Sequence, residues 1–217
     1  MRVRAFLMSF LPVRALACEL ALVLAVDVSG SVDRDEYRIQ MDGLANALRD
    51  GIVAEALVSQ RAQVTLIQWS GLSRQRQTVP WTALHSAADV ADLADRIAAD
   101  SRLWRNYSTA IGEALHLSQN VLDQVSCGRK VIDVSGDGIS NEGAEPREQH
   151  GALRARGIIV NALAIETDDT DLTGYFFENV IGGEGAFVVT AHGFEDYPDK
   201  IRRKLQRETT KQLSALE

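Results

Sequence analysis

The stretch Leu20-Ala21-Leu22-Val23-Leu24-Ala25-Val26-Asp27-Val28-Ser29-Gly30-Ser31 runs through seven apolar residues and then reaches a carboxylate and two hydroxyls. A short, continuous apolar run of this kind reads as a strand covered on both faces. Where such a strand stops at Asp27, Ser29 and Ser31, it puts hard oxygen donors on a tight turn, as Mg²⁺ and related cations require. Asp and Ser also cap helices and make turns with no metal present. The remaining donors are therefore sought further along the chain.

Two stretches supply them. In Ser108-Thr109-Ala110-Ile111-Gly112-Glu113-Ala114-Leu115 a hydroxyl opens a helical pattern, and Val131-Ile132-Asp133-Val134-Ser135-Gly136-Asp137-Gly138 is a second apolar strand ending in a carboxylate beside glycine. In order, Asp-x-Ser-x-Ser, Thr before a helix and Asp-Gly after a strand resemble the metal-ion-dependent adhesion site of von Willebrand factor A domains. The resemblance covers nearly all of the chain after residue 17. It implies that Ser29, Ser31 and Thr109 are hydroxyl ligands and that Asp27 and Asp137 act directly or through water. The implied metal is Mg²⁺, with Mn²⁺ or Ca²⁺ as substitutes. Ser135-Gly136-Asp137-Gly138 stands where many relatives have Thr-Asp-Gly, which keeps the carboxylate. The phrases at 18–33, 131–138 and 180–188 resemble, more narrowly, a bacterial and mostly exported subgroup of uncharacterised function.

Periodicity along the chain predicts an α/β fold. Asp33 with Glu36 opens a helix in capping-box style, and Tyr37, Met41, Leu44 and Leu48 give it one apolar face. Residues 54–58 read as short helix or loop, and 63–69 as a strand. Residues 75–81 contain Pro80, which suits an edge strand; the resemblance makes it the one antiparallel strand. Helices are expected at 87–99, 109–125, 147–156 and 172–181, strands at 130–135, 158–165 and 186–189, and a terminal helix over 194–216. Strands alternating with helices predict a three-layer, doubly wound (Rossmann-like), mostly parallel six-stranded sheet in the order 3-2-1-4-5-6. Ligands of such sheets sit beyond the carboxyl ends of the strands at the switch point, which strands one and four flank with Asp27 and Asp137.

The 217 residues, 46% hydrophobic and 24% charged, suit one domain over 18–217. Ahead of it, Arg2 and Arg4 precede an apolar stretch and Ala15-Leu16-Ala17, the layout of a signal peptide over 1–17. That stretch is too short and too charged to span a membrane. A periplasmic protein is expected. Removing residues 1–17 takes away three arginines and no acids, moving the formal charge from −7 to −10. So acidic a chain is a poor nucleic-acid binder. Its one basic cluster, Lys200 to Arg207, reads as a solvated helix face.

Cys18 lies nine residues before Asp27 and Cys127 ten before Asp137. If the two strands are parallel neighbours ~4.8 Å apart, the cysteines fall within the ~4.4–6.8 Å Cα separation of a disulfide. A Cys18–Cys127 bridge is expected at the end of the sheet opposite the site, in an oxidising compartment. Lipidation of Cys18 is the competing reading and would leave Cys127 unpaired.

Three neutral hydroxyls and only two carboxylates, partly acting through water, leave a dication under-neutralised and with a position open to an outside carboxylate. The expected function is an exported, metal-dependent protein–protein interaction module that takes an Asp or Glu of a partner, not an enzyme. A periplasmic metal-dependent hydrolase with Asp137, Glu142 or Glu145 as base is one alternative; an adaptor subunit of an ATPase complex is another. No G-x-S-x-G surrounds Ser29 or Ser135, and His85, His116, His150 and His192 lack ligand spacing. Asn141 occupies the third glycine position of a dinucleotide loop. Trp69, Ser70, Trp104 and Tyr107, expected in or beside loops at the metal end, are candidate partner contacts or loop packing. The sequence leaves the partner and the oligomeric state open.

Overall fold

Every residue of β1 (Leu20–Asp27) is buried in the computed structural model, which describes residues 18–167 and 171–210. The expected signal peptide and the end of the terminal helix, residues 211–216, lie outside the described residues. Strands β2 (Gln63–Trp69), β3 (Gln75–Ala83), β4 (Arg129–Gly136), β5 (Ile158–Glu166) and β6 (Val188–His192) complete a six-stranded sheet. Its order is β3-β2-β1-β4-β5-β6, the order expected. β3 is the one antiparallel strand and lies at the edge.

Alternation along β1 builds two cores. Leu22, Leu24 and Val26 face α1 (Arg34–Leu48), α2 (Gly51–Ser59), α3 (Ala87–Ala98) and α7 (Tyr197–Thr210). Ala21, Val23 and Ala25 face α4 (Ile111–Leu122), α5 (Pro146–Ala155) and α6 (Leu172–Asn179). The smaller side chains thus lie on the α4 side. At α1 the capping box forms as expected: Asp33 accepts from the backbone of Asp35 and Glu36, while Glu36 Oε2 accepts from Asp33 N at 2.6 Å.

Three expectations change. The short helix or loop at 54–58 is a full helix, started by Asp50, which accepts from the backbone of Ile52 and Val53. The last strand begins at Val188, two residues late. Gly183 adopts φ +99° in the preceding turn, where Val160 N donates to Gly182 O. Beyond the turn, Phe187 N donates to the Asn161 side chain. The basic stretch on α7 is not wholly solvated. Lys204 is fully buried, with Nζ bonded to Asp133 Oδ1 of β4 and 3.2 Å from Glu208 Oε1. Burial and the neighbouring Glu208 push the Asp133 carboxyl up, and Lys204 pulls it back.

At the opposite end of the sheet from Asp27, Cys18 and Cys127 form the expected disulfide, with 4.7 Å between Cα atoms. It closes a loop of 109 residues. Replacing both cysteines by serine is expected to lower unfolding stability by about 2–5 kcal/mol, read as a shift of the urea midpoint. Lys204→Met strands two buried carboxylates and is expected to cost about 3–5 kcal/mol at pH 8. The loss should shrink as the pH falls and the Asp133 carboxyl takes up a proton.

Candidate metal centre

Asp27 ends β1 with no exposed surface. Its Oδ1 accepts from Ser29 N at 2.7 Å, which tightens the turn and brings Ser29 and Ser31 to the same side. Their hydroxyls stand 3.2 Å apart. Ser31 Oγ then donates to Asp137 Oδ1 at 2.6 Å, joining the turn after β1 to the turn after β4. Thr109, nearly buried, is fastened at the backbone: its N donates to Asn141 Oδ1 and its O accepts from Asn141 N, both at 2.9 Å. Its Oγ1 would lie 3.7 Å from a Cβ built on Gly138, the residue after Asp137. The five expected ligands therefore meet at one edge of the sheet, between β1 and β4.

Several residues that sequence reasoning passed over hold this arrangement. Arg102 donates through Nη2 to Val28 O at 3.1 Å and Ser29 O at 2.7 Å, and through Nη1 to Asp33 O at 3.2 Å. It clamps the carbonyls of the turn from an irregular loop that carries no motif, so no sequence signal points to it. Gln40 of α1 donates to Asp27 O at 3.3 Å. Asn141 follows Gly138 in a turn-rich segment, and Asn closing on a backbone N–H there is the only sign of its role. Gly30 N donates to Tyr107 O at 2.8 Å; a Cβ at Gly30 would come within 3.2 Å of that oxygen.

Of the four expected contact residues, two are corrected. Trp69 is fully buried because the alternation of β2 turns it, with Ile67, into the α4-side core. Its ring lies 3.3 Å from a Cβ built on Gly136, which would itself be 3.0 Å from Asp27 Oδ2, so Trp69 floors the site. Ser70 is buried and donates to Ser108 O at 3.1 Å. Trp104 is half-buried, and Tyr107 is exposed with Arg74 at 3.7 Å over its ring.

The electrostatics fit a divalent cation. Burial first, and the nearby Asp137 second, push the Asp27 carboxyl up to about 8, against the lowering effects of Ser29 and Arg102. Burial also raises Asp137, which the Ser31 hydrogen bond opposes. Asp27 Oδ2 is buried without a hydrogen-bond partner. Among the described residues no group of three or more His, Cys, Asp or Glu gathers as a metal site. The donors here are two carboxylates and three hydroxyls, an all-oxygen set suited to a hard cation.

Residues 17–213 match the model of the family described as a protein of unknown function, DUF1194. The chain belongs to that family. No curated protein matches the DUF1194 chain. Among solved structures, it is similar to proximal thread matrix protein 1 from the mussel byssus with a zinc-occupied MIDAS motif. There the identity is 16% and the TM-score 0.67, over 89% of this chain and 46% of that one. It is also similar to the vWF domain of the type V pili tip protein Mfa5 from Porphyromonas gingivalis, at 9% identity and TM-score 0.64, over 94% and 98% of the two chains. A third likeness is to BatB from Bacteroides thetaiotaomicron, at 18% identity and TM-score 0.58, over 88% and 99%. The DUF1194 chain spans about half the length of the byssus protein. At these identities the likeness establishes the fold, which is that of a von Willebrand factor A domain.

A carboxyl whose folded pKa is raised binds a proton in the native state that the unfolded chain has already lost. Its contribution therefore lowers stability as the pH rises from about 4 towards 8. A cation held at Asp27 and Asp137 would replace those protons. Adding Mg²⁺ is expected to leave the melting temperature unchanged near pH 4 and to raise it increasingly towards pH 8. The gain reaches about 2.7 kcal/mol at a hundred times the dissociation constant. Scanning calorimetry across pH, with Asp27→Asn as a variant that loses the gain, checks this.

Proposed function

We propose that this domain is a metal-dependent protein–protein interaction module. Asp27, Ser29, Ser31, Thr109 and Asp137 hold a divalent cation, Mg²⁺ by the hardness of the donors, and an Asp or Glu of a partner protein completes its coordination. The observation that carries the reading is the buried, unpartnered Oδ2 of Asp27 at the end of the hydrogen-bonded chain from Ser29 through Ser31 to Asp137. Two carboxylates only just neutralise a dication, and three neutral hydroxyls add no charge. An acidic protein can then hold an acidic side chain because the cation bridges the two. The zinc-occupied motif of the byssus protein and the pilus-tip setting of Mfa5 belong to those proteins, and both accord with this reading.

The hydrolytic reading has fewer supports. Glu142 Oε2 is engaged by Leu72 N at 2.7 Å, and Asp137 by the Ser31 hydroxyl at 2.6 Å. Export to the periplasm through the segment 1–17 fits the Cys18–Cys127 bridge, which persists in oxidising compartments. No helix of the described residues is long and apolar enough to cross a membrane.

Affinity capture on the mature protein tests the module directly, using wild type and Asp27→Ala, each with Mg²⁺ or EDTA, read by mass spectrometry. A partner retained by wild type in Mg²⁺, and reduced to background by either chelator or substitution, is expected. Retention that survives both treatments would sink the reading.

A further inference from the structure

One side of the candidate metal centre is richer in arginine than in acid, unlike the molecule as a whole. The β2–β3 turn, the start of β3 and the loop at 100–108 carry Arg74, Arg76, Arg102 and Arg105 against Asp100, which accepts from Gln68, and Glu142, which accepts from Leu72 N, in a protein of net charge −7. None of the four forms an ion pair among the described residues. Arg102 is committed to the carbonyls of the metal turn. The other three lie outward of it: Arg74 over the Tyr107 ring at 3.7 Å, Arg76 at 5.9 Å from the Trp104 ring, and Arg105 close enough to Arg102 to disfavour its charge. The same turn and loop expose Leu72, Leu103 and Tyr107, at 45%, 38% and 42%. The arc is fixed to the centre itself, since Tyr107 O accepts from Gly30 N between the two serines.

We infer that the partner segment is itself acidic and places an apolar side chain beside its metal-binding carboxylate. This rests on the metal-dependent reading above. The cation takes one acid, Arg76 and Arg105 take flanking acids, and Leu72, Leu103 and Tyr107 seat the apolar side chain. The cations are all arginines, whose planar donor forks match carboxylates. The Tyr107 ring beneath Arg74 holds that guanidinium without neutralising it, and Trp104 stands 5.9 Å from Arg76. Apolar residues interleaved with the arginines suit a peptide better than a polyanion of phosphates or sulfates. A long polyanion would also meet the repulsion of the acidic remainder, whereas a short segment touches only the arc.

Three fluorescein-labelled peptides test the inference by anisotropy: Gly-Leu-Asp-Gly, Glu-Leu-Asp-Glu and Glu-Gly-Asp-Glu. Each is titrated in Mg²⁺ and in EDTA against wild type, Asp27→Ala and Arg76→Ala/Arg105→Ala, whose fold is verified by circular dichroism. For wild type in Mg²⁺, the three-acid leucine peptide is expected to bind about tenfold tighter than the one-acid peptide. Loss of leucine is expected to cost about threefold. The acid preference should fall to about one in the double arginine variant. A preference of one in wild type, a preference kept in the arginine variant, or no binding of any peptide at millimolar concentration overturns the inference. So does arginine-dependent binding of a heparin hexasaccharide or phosphatidylglycerol vesicles that is tighter than that of the peptides. If arginine-dependent binding of the acidic peptide persists in EDTA and in Asp27→Ala, the acidic-segment inference stands and the metal-dependent reading fails.

Discussion

The structure turns on a carboxylate buried at the end of a central strand. An ionised group without solvent has to be neutralised, hydrogen-bonded or protonated. At Asp27 one oxygen is satisfied by Ser29 N and the other is left without a partner. Much of the neighbouring structure follows from that oxygen. Position 136 is glycine where a Cβ would crowd it, and the buried Trp69 ring closes the space below. Gln40 and Arg102 meanwhile bind the carbonyls of Asp27, Val28 and Ser29, so the turn keeps its shape without drawing on the carboxylate.

β4 shows the same problem solved differently within a few residues. Asp133 lies in the strand, and its charge is met by Lys204 from α7, itself shared with Glu208. Asp137 lies just past the strand end and accepts from the Ser31 hydroxyl, a neutral donor, with the Arg102 charge acting on it without an ion pair. One carboxylate is thus neutralised from inside the chain, whereas the other leaves its negative charge facing Asp27. The Lys204 cluster ties α7 to the sheet, and the disulfide fixes the far ends of β1 and β4. β4 is thereby tied to α7 within its length, and β1 and β4 are joined to each other at the ends away from the site carboxylates.

Local chemistry made much of this legible. The apolar run before Asp27, the one-residue spacing of Ser29 and Ser31, and the alternation of strands and helices each state their consequence within a short window. Even the cysteine pair followed from counting back along two strands, since Leu20 is in register with Arg129. What escaped depends on contacts between distant segments. Lys204 looks solvated in a run of basic residues, and only the fold puts Asp133 beneath it. Trp69 sits at a strand end next to a loop, and its burial follows from the packing of α4 on that face. Arg102 acts on backbone carbonyls, which carry no residue identity and leave no pattern to match.

The division of labour within the site bears on how such a module would choose its partner. A cation held by five oxygen donors accepts any accessible carboxylate, so it supplies strength with little discrimination. Specificity would then have to come from side chains around the cation, and in the proposed module these lie on the turn at 70–74, the start of β3 and the loop at 100–108. The 100–108 loop is tied to the centre through Tyr107 and Gly30, and the turn at 70–74 is tied to that loop through Ser70 and Ser108. An arginine or leucine on them is therefore placed at a fixed offset from the metal donors. A carboxylate that arrives with the wrong neighbours can still reach the cation, but it leaves the arginines unpaired and the apolar rim wet. Discrimination of this kind is graded rather than absolute, because each rim contact is weak and screened by salt.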